Sequence, residues 1–132
     1  MSSAFCKQRV EKAQAQLKQQ GADVLYIFSS TNMAYFAGAP MGPTDRVAAF
    51  IISRDAEPWF IVPSFEAGRI EKTEALGQFI PWEEHEDPFA CIADTLRKNR
   101  LASATIALDG ETWYWVLEGL RRTLPKATFI NG

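Results

Sequence analysis

Val24-Leu25-Tyr26-Ile27-Phe28 and Val47-Ala48-Ala49-Phe50-Ile51-Ile52 are two apolar runs. They are separated by residues 29–46, Ser-Ser-Thr-Asn-Met-Ala-Tyr-Phe-Ala-Gly-Ala-Pro-Met-Gly-Pro-Thr-Asp-Arg. Both runs are rich in β-branched and aromatic residues without polar alternation, the pattern of strands covered on both faces. Between them, Thr31 or Asn32 can cap a short aromatic helical turn ending near Gly38. Pro40, Gly42 and Pro43 make the rest a loop that closes on Arg46. Polar and aromatic groups on a loop at a strand end are where α/β folds place ligand contacts, so residues 29–46 form the candidate functional surface.

Working outward, residues 3–20 read as an amphipathic helix with Cys6, Val10, Ala13 and Leu17 on one face and Gly21 available for a left-handed C-terminal position. Downstream, 46–53 and 59–62 read as two strands joined by a local turn, hence a hairpin. A helix is expected over 64–73, a short strand over 78–82 and an acidic loop over 83–87. Asp87-Pro88 is a helix start, an N-cap followed by proline at the first helical position. Phe89, Ile92, Ala93 and Leu96 then line one face, with Lys98 and Arg100 suited to the C-terminal end. Residues 105–108 read as a strand. Thr112 can cap a last helix with Trp113, Val116, Leu117, Leu120 and Leu124 on its apolar face, stopped by Pro125. Residues 127–130 read as a final strand. Strands and helices mixed along the whole length predict a single α/β domain, a mixed sheet with helices packed on it. Ending just past a strand, the chain reads as a piece of a longer protein.

Composition narrows the function classes. The 132 residues are 47% hydrophobic and 23% charged, enough for one packed core and too apolar for disorder. A net charge of −2 without a basic block gives no footprint for nucleic acid. The longest apolar runs are too short to cross a bilayer, and no signal segment opens the chain, so a soluble, cytoplasmic protein is expected. Cys6 and Cys91 each fall on an apolar helix face, which favours packed, reduced thiols over a disulfide.

Catalytic chemistry is hard to place. The one histidine, His85, lies within Glu83-Glu84-His85-Glu86-Asp87. A hydrated cation could visit those carboxylates, but acidic residues ahead of a helix also favour its N-terminus, and the solvated loop is the preferred reading. No nucleophile–base pair or Gly-x-Ser-x-Gly elbow is present. The Gly-Ala-Pro-Met-Gly-Pro stretch lacks a phosphate-loop ending, and its prolines remove donors a phosphate needs. Trp59 and Trp82 suit strands and Trp113 the core. Trp115 falls off the apolar face and is a candidate interface residue.

Several segments together resemble the N-terminal domain of the creatinase, prolidase and Xaa-Pro aminopeptidase family, metallopeptidases with a "pita-bread" catalytic domain. The resemblance rests on Arg9 and Leu17, Gly21-Ala22-Asp23-Val24-Leu25, Asn32-Met33-Ala34-Tyr35-Phe36-Ala37-Gly38 and Arg46. It continues through Val62-Pro63 with Glu66, Ile106-Ala107-Leu108-Asp109 and Leu124-Pro125-Lys126-Ala127. It covers essentially the whole chain, and the Asn-x-x-Tyr-aromatic-x-Gly segment is its most specific part. The fold it implies is the creatinase N-terminal type, with a ribonuclease H-like motif.

The resemblance implies a non-catalytic domain, residues 1–132, of a cytoplasmic hydrolase that cleaves bonds next to proline, an aminopeptidase P or prolidase. No catalytic or metal-binding residue maps onto this chain. Paired divalent ions, Mn, Co or Zn, are expected in a C-terminal catalytic domain outside it. The implied partners are that domain, a second copy in a homodimer and a proline-containing peptide, with no nucleic acid or membrane. Arg46, Tyr35, Phe36, Asn32 and Gly38 are the implied substrate or interface positions. A guanidinium at 46 suits a substrate carboxylate or an acidic group across an interface. Packing for Tyr35 and Phe36, a helix cap for Asn32 and an unusual backbone conformation for Gly38 are the structural alternatives. A creatinase-type amidinohydrolase and a stand-alone binding module of the same fold, as in some histone-chaperone subunits, are the rival functions.

Overall fold

The computed structural model describes residues 3–28, 47–64, 78–83, 85–110, 112 and 114–131. Within them the elements are α1 (Ser3–Gln20), β1 (Val24–Phe28), β2 (Ala49–Ser53), β3 (Trp59–Pro63) and β4 (Gln78–Trp82), followed by α2 (Pro88–Lys98), β5 (Thr105–Leu108), α3 (Tyr114–Thr123) and β6 (Thr128–Asn131). The strands form one sheet in the order β4-β3-β2-β1-β5-β6. β1 is parallel to β5, β5 to β6 and β3 to β4, while β2 is antiparallel to both β1 and β3. Five strands therefore run one way and β2 runs against them, the mixed sheet expected from the sequence. The hairpin is present as β2–β3, with Phe50 opposite Phe60.

The two-residue period of the strands sorts side chains onto two faces. Phe50, Ile52, Phe60 and Val62 pack with Val10, Ala13 and Leu17 of α1. Ala49, Ile51, Trp59 and Ile61 point the other way, into a cluster with Ile92 and Leu96 of α2 and Val116 and Leu120 of α3. β2 and β3 are buried at every position, which is why their sequence shows no polar alternation. Each fully buried Ile or Phe contributes about 1.5–3 kcal/mol of transfer free energy.

Helix ends follow local chemistry. α1 stops at Gly21, whose φ of 73° lets the Ala22 N–H reach back to the Leu17 carbonyl at 3.0 Å. α2 starts as expected: the Asp87 side chain accepts from the Phe89 N–H, and Pro88 takes the first helical position. Its end differs from expectation. Arg100 lies beyond the helix at φ 62°, and the Leu101 N–H bonds the Leu96 carbonyl at 2.8 Å. An arginine thus holds the left-handed position that glycine usually fills, at a strain cost of about 1 kcal/mol.

α2 and α3 approach closely because Gly119 has no side chain; a β-carbon there would collide with the Phe89 ring. Trp115 meets the same ring edge-on, with centroids 6.1 Å apart. The Arg97 guanidinium donates to the Thr123 carbonyl at 2.7 Å, and Arg122 pairs with Asp87 at 3.3 Å, tying the two helices at their ends.

Smaller expectations shift. β2 begins at Ala49 rather than at 46. β6 begins one residue late, because the Ala127 N–H closes the turn after α3 on the Leu124 carbonyl. Thr112 does not cap α3: its Oγ1 is buried without a hydrogen-bond partner, and its N–H turns back to the Asp109 carbonyl at 3.0 Å. Of the helix expected over 64–73, all but residue 64 lies outside the described residues, as do Trp113 and the side chain of Cys6. Among the described residues no helix is long and apolar enough to cross a membrane.

Candidate functional site

β1 and β2 are antiparallel neighbours with Phe28 opposite Ala49, so the end of β1 and the start of β2, which flank residues 29–46, are held together. They lie at the end of the sheet where β1, β3, β4, β5 and β6 all finish. The carboxyl ends of parallel strands are where open α/β sheets place binding sites.

Several side chains line this rim. The Trp82 indole, at the end of β4, donates Nε1–H to the Val47 carbonyl at 2.9 Å in a buried bond. That bond reaches across β3 and pins the chain just after Arg46. Ser64, following β3, donates its hydroxyl to Glu83 Oε2 at 2.9 Å. Asp109 follows β5 and is 8% exposed, with its N–H donated to the Tyr26 carbonyl at 3.0 Å. Burial without a hydrogen-bond partner for its hydroxyl drives the Tyr26 phenol far above the usual tyrosine range, so it stays neutral.

The acidic loop is structural in its described part. The Glu86 carboxylate accepts the Glu83 N–H at 2.8 Å, and Asp87 caps α2. These carboxylates are committed to the turn, and His85 is exposed. Among the described residues, no group of three His, Cys, Asp or Glu side chains could hold a metal ion. Cys91 is a free, half-buried thiol. Burial first, then Glu86 and Asp94, push its pKa up and keep it a weak nucleophile at neutral pH.

Arg46, Tyr35, Phe36, Asn32 and Gly38 all lie outside the described residues. The structure brings together the flanks of their segment: Phe28, Val47 and, through its indole, Trp82. The Trp82–Val47 tie escaped the sequence reading because only the parallel pairing of β4 on β3 brings positions 35 residues apart within bonding distance. Asp109 was visible only as part of the family-like Ile-Ala-Leu-Asp segment; its burial had no local signal.

A mixed sheet in this strand order, with helices on both faces, defines an α/β domain, and comparison with known proteins identifies its family. The sequence model of the creatinase/prolidase N-terminal domain matches residues 9–132, and the chain belongs to that family. An Xaa-Pro dipeptidase of Lactobacillus helveticus is 28% identical over 123 residues, covering 92% of this chain and 33% of the relative. The N-terminal domain of an Xaa-Pro dipeptidase from Lactobacillus brevis superposes with a TM-score of 0.86 at 24% identity, covering 93% of this chain and 92% of that one. A dipeptidase from Pyrococcus horikoshii gives a TM-score of 0.82 at 22% identity, covering 93% of this chain but 33% of that one. The chain thus spans about a third of the length of the curated relatives it matches.

Proposed function

We propose that residues 1–132 are the non-catalytic N-terminal domain of a metal-dependent Xaa-Pro dipeptidase. The observation that carries this reading is the likeness of nearly the whole chain to a domain that accounts for a third of its dipeptidase relatives. Paired divalent ions and the hydrolytic step belong to a further, C-terminal domain. The domain's own part is to help form a homodimer and to restrict access to the catalytic pocket with residues 29–46, a reading supported by the pairing of the flanking residues Phe28 and Ala49. Within that segment Arg46 pairs with a carboxylate of the substrate or of the interface, and Tyr35, Phe36, Asn32 and Gly38 are further substrate or interface positions.

The test compares the whole natural protein with residues 1–132 on Xaa-Pro dipeptides and on a small guanidino compound, with and without added Mn²⁺. Hydrolysis of the dipeptide by the whole protein only, abolished by chelation, is the expected result. Turnover of the guanidino compound alone would reassign the parent to an amidinohydrolase, and metal-dependent cleavage by residues 1–132 would overturn the non-catalytic reading. In the whole protein, Arg46→Ala is expected to raise KM for the dipeptide more than it lowers kcat.

A further inference from the structure

The two edges of the sheet are not protected alike. β4 and β6 are its outer strands, and each leaves one row of backbone groups that the sheet itself does not use. On β4 the Gln78 N–H turns inward to the Pro58 carbonyl at 2.8 Å, so positions 79 and 81 face outward. Position 81 is an exposed proline, and that edge lacks a donor where a further strand would need one. On β6 the Thr128 N–H turns inward to the Ala104 carbonyl at 3.0 Å, so Phe129 and Asn131 carry the outward N–H and C=O groups. The strand reads Thr-Phe-Ile-Asn, with no proline and no charge to deter pairing. Among the described residues, no backbone bond uses the outward groups of Phe129 and Asn131.

The side chains of this edge divide between the two faces of the sheet. Phe129 and Asn131 stand in register with Ile106 and Leu108, on the face that α2 and α3 cover. There Tyr114, Leu117 and Arg121 of α3 border them, with Tyr114 72% exposed. Ile130 stands beside Ala107 on the α1 face and is 36% exposed.

We propose that β6 is a self-pairing edge, through which two copies of this chain join antiparallel about a twofold axis into one continuous sheet. The register that uses both outward residues of each copy sets Phe129 of one opposite Asn131 of the other, and this places the axis at Ile130. Each Ile130 then meets its counterpart in a non-hydrogen-bonded pair, with Cα atoms about 4.5 Å apart. That pairing buries an apolar side chain which the single chain leaves exposed, and it sets no like charges opposite each other. Four residues of strand fall short of the roughly 1,200 Å² that a stable dimer buries, so the α3 residues beside Phe129 and Asn131 belong to the contact as well. The inference rests on the homodimer of the reading above and names its surface.

Disulfide trapping in the whole natural protein tests the register, with Cys6→Ser and Cys91→Ser removing the native thiols. Under mild oxidation Ile130→Cys is expected to give a covalent dimer several-fold faster than Phe129→Cys, whose side chain lies on the other face. Equal rates at the two positions, or no covalent dimer from Ile130→Cys, would overturn self-pairing. Sedimentation is expected to show Ile130→Lys shifting the native dimer to a single chain, since two ammonium groups would then face each other. Its Tm as a single chain should be unchanged, because the side chain is exposed there. A dimer untouched by Ile130→Lys would likewise overturn the proposal. Absence of the link in a protein that hydrolyses Xaa-Pro dipeptides would sink self-pairing alone, whereas a linked dimer without that activity would support it while the dipeptidase reading fails.

Discussion

The two ends of the sheet are built differently. At the end where β1 and β5 begin, side chains hold the backbone in register. Asp23 Oδ2 accepts the Thr105 N–H at 2.9 Å, Arg54 Nε donates to the Ala22 carbonyl at 2.7 Å, and the Gln14 amide donates to both Ser53 and Ala56 carbonyls at 3.0 Å. At the carboxyl end, among the described residues, the Trp82 indole bonds the Val47 carbonyl, Ser64 donates to Glu83, and the Thr112 hydroxyl has no partner. The first end spends its polar side chains on the fold. At the second, among the described residues, a buried indole ties β4 to the chain just ahead of β2. Such a division lets loops at the carboxyl end change without loosening strand register.

The comparison can be broken most sharply at Trp82. Trp82→Ala should cost about 3–5 kcal/mol in urea denaturation, since it empties a buried site and orphans the Val47 carbonyl. Trp82→Phe, which keeps most of the volume, should lose only about 1–2 kcal/mol. A loss below about 1 kcal/mol for the alanine variant would mean that this end is not closed by the indole.

At the opposite end, Asp23→Ala should cost about 1–2 kcal/mol, mostly through the Thr105 amide. The Arg54–Asp23 pair, at 3.6 Å and more than a third exposed, adds little. If Asp23→Ala is neutral, the Asp23 carboxylate adds nothing to strand pairing at the amino end and the contrast between the ends weakens.

Tyr26 gives a pH test. Its phenol stays protonated in the folded protein beyond the usual range, while the unfolded chain releases that proton near pH ~10. Above that pH the native state binds more protons than the unfolded state. Stability is therefore full below it and falls as pH rises, by at most about 1.4 kcal/mol per pH unit from this group. Tyr26→Phe should remove that component of the alkaline slope and, having no hydrogen bond to lose, leave stability near pH 7 unchanged or slightly higher. Parallel denaturation curves at pH 8 and pH 11 provide the check.

The smallest effect is expected at Thr112. Thr112→Val in residues 1–132 should change stability by less than about 0.5 kcal/mol in either direction, because the hydroxyl it removes is unpaired. A loss above about 1 kcal/mol would show that the hydroxyl is bonded in solution, and the two ends would then be alike in their pairing.

Much of this fold was legible in order along the chain, because its signals are local. Asp87-Pro88 marked the start of α2, Gly21 the end of α1, and the apolar run at 78–82 gave β4 with its observed bounds. Where the local signal was ambiguous, the structure decided. Arg100 looked like a basic residue at a helix end, yet it takes the left-handed turn beyond that end. Thr112 had the side chain of a cap, yet its backbone bonds Asp109 instead. The candidate segment, residues 29–46 with Arg46, was a reading of the sequence and lies outside the described residues; the structure adds its flanks, Phe28 and Ala49, paired because β1 and β2 are neighbours in the sheet.

By itself the sequence determined most of the described elements, the two-faced burial of β2 and β3, and the family, through capping residues, apolar spacing and motif order that act within a few residues of one another. Only the tertiary structure decided that β5 lies beside β1, that Trp82 reaches Val47, and that Gly119 lies against the Phe89 ring. Each of those joins positions far apart in the chain, and burial and hydrogen-bond pairing across the sheet, not local propensity, select them.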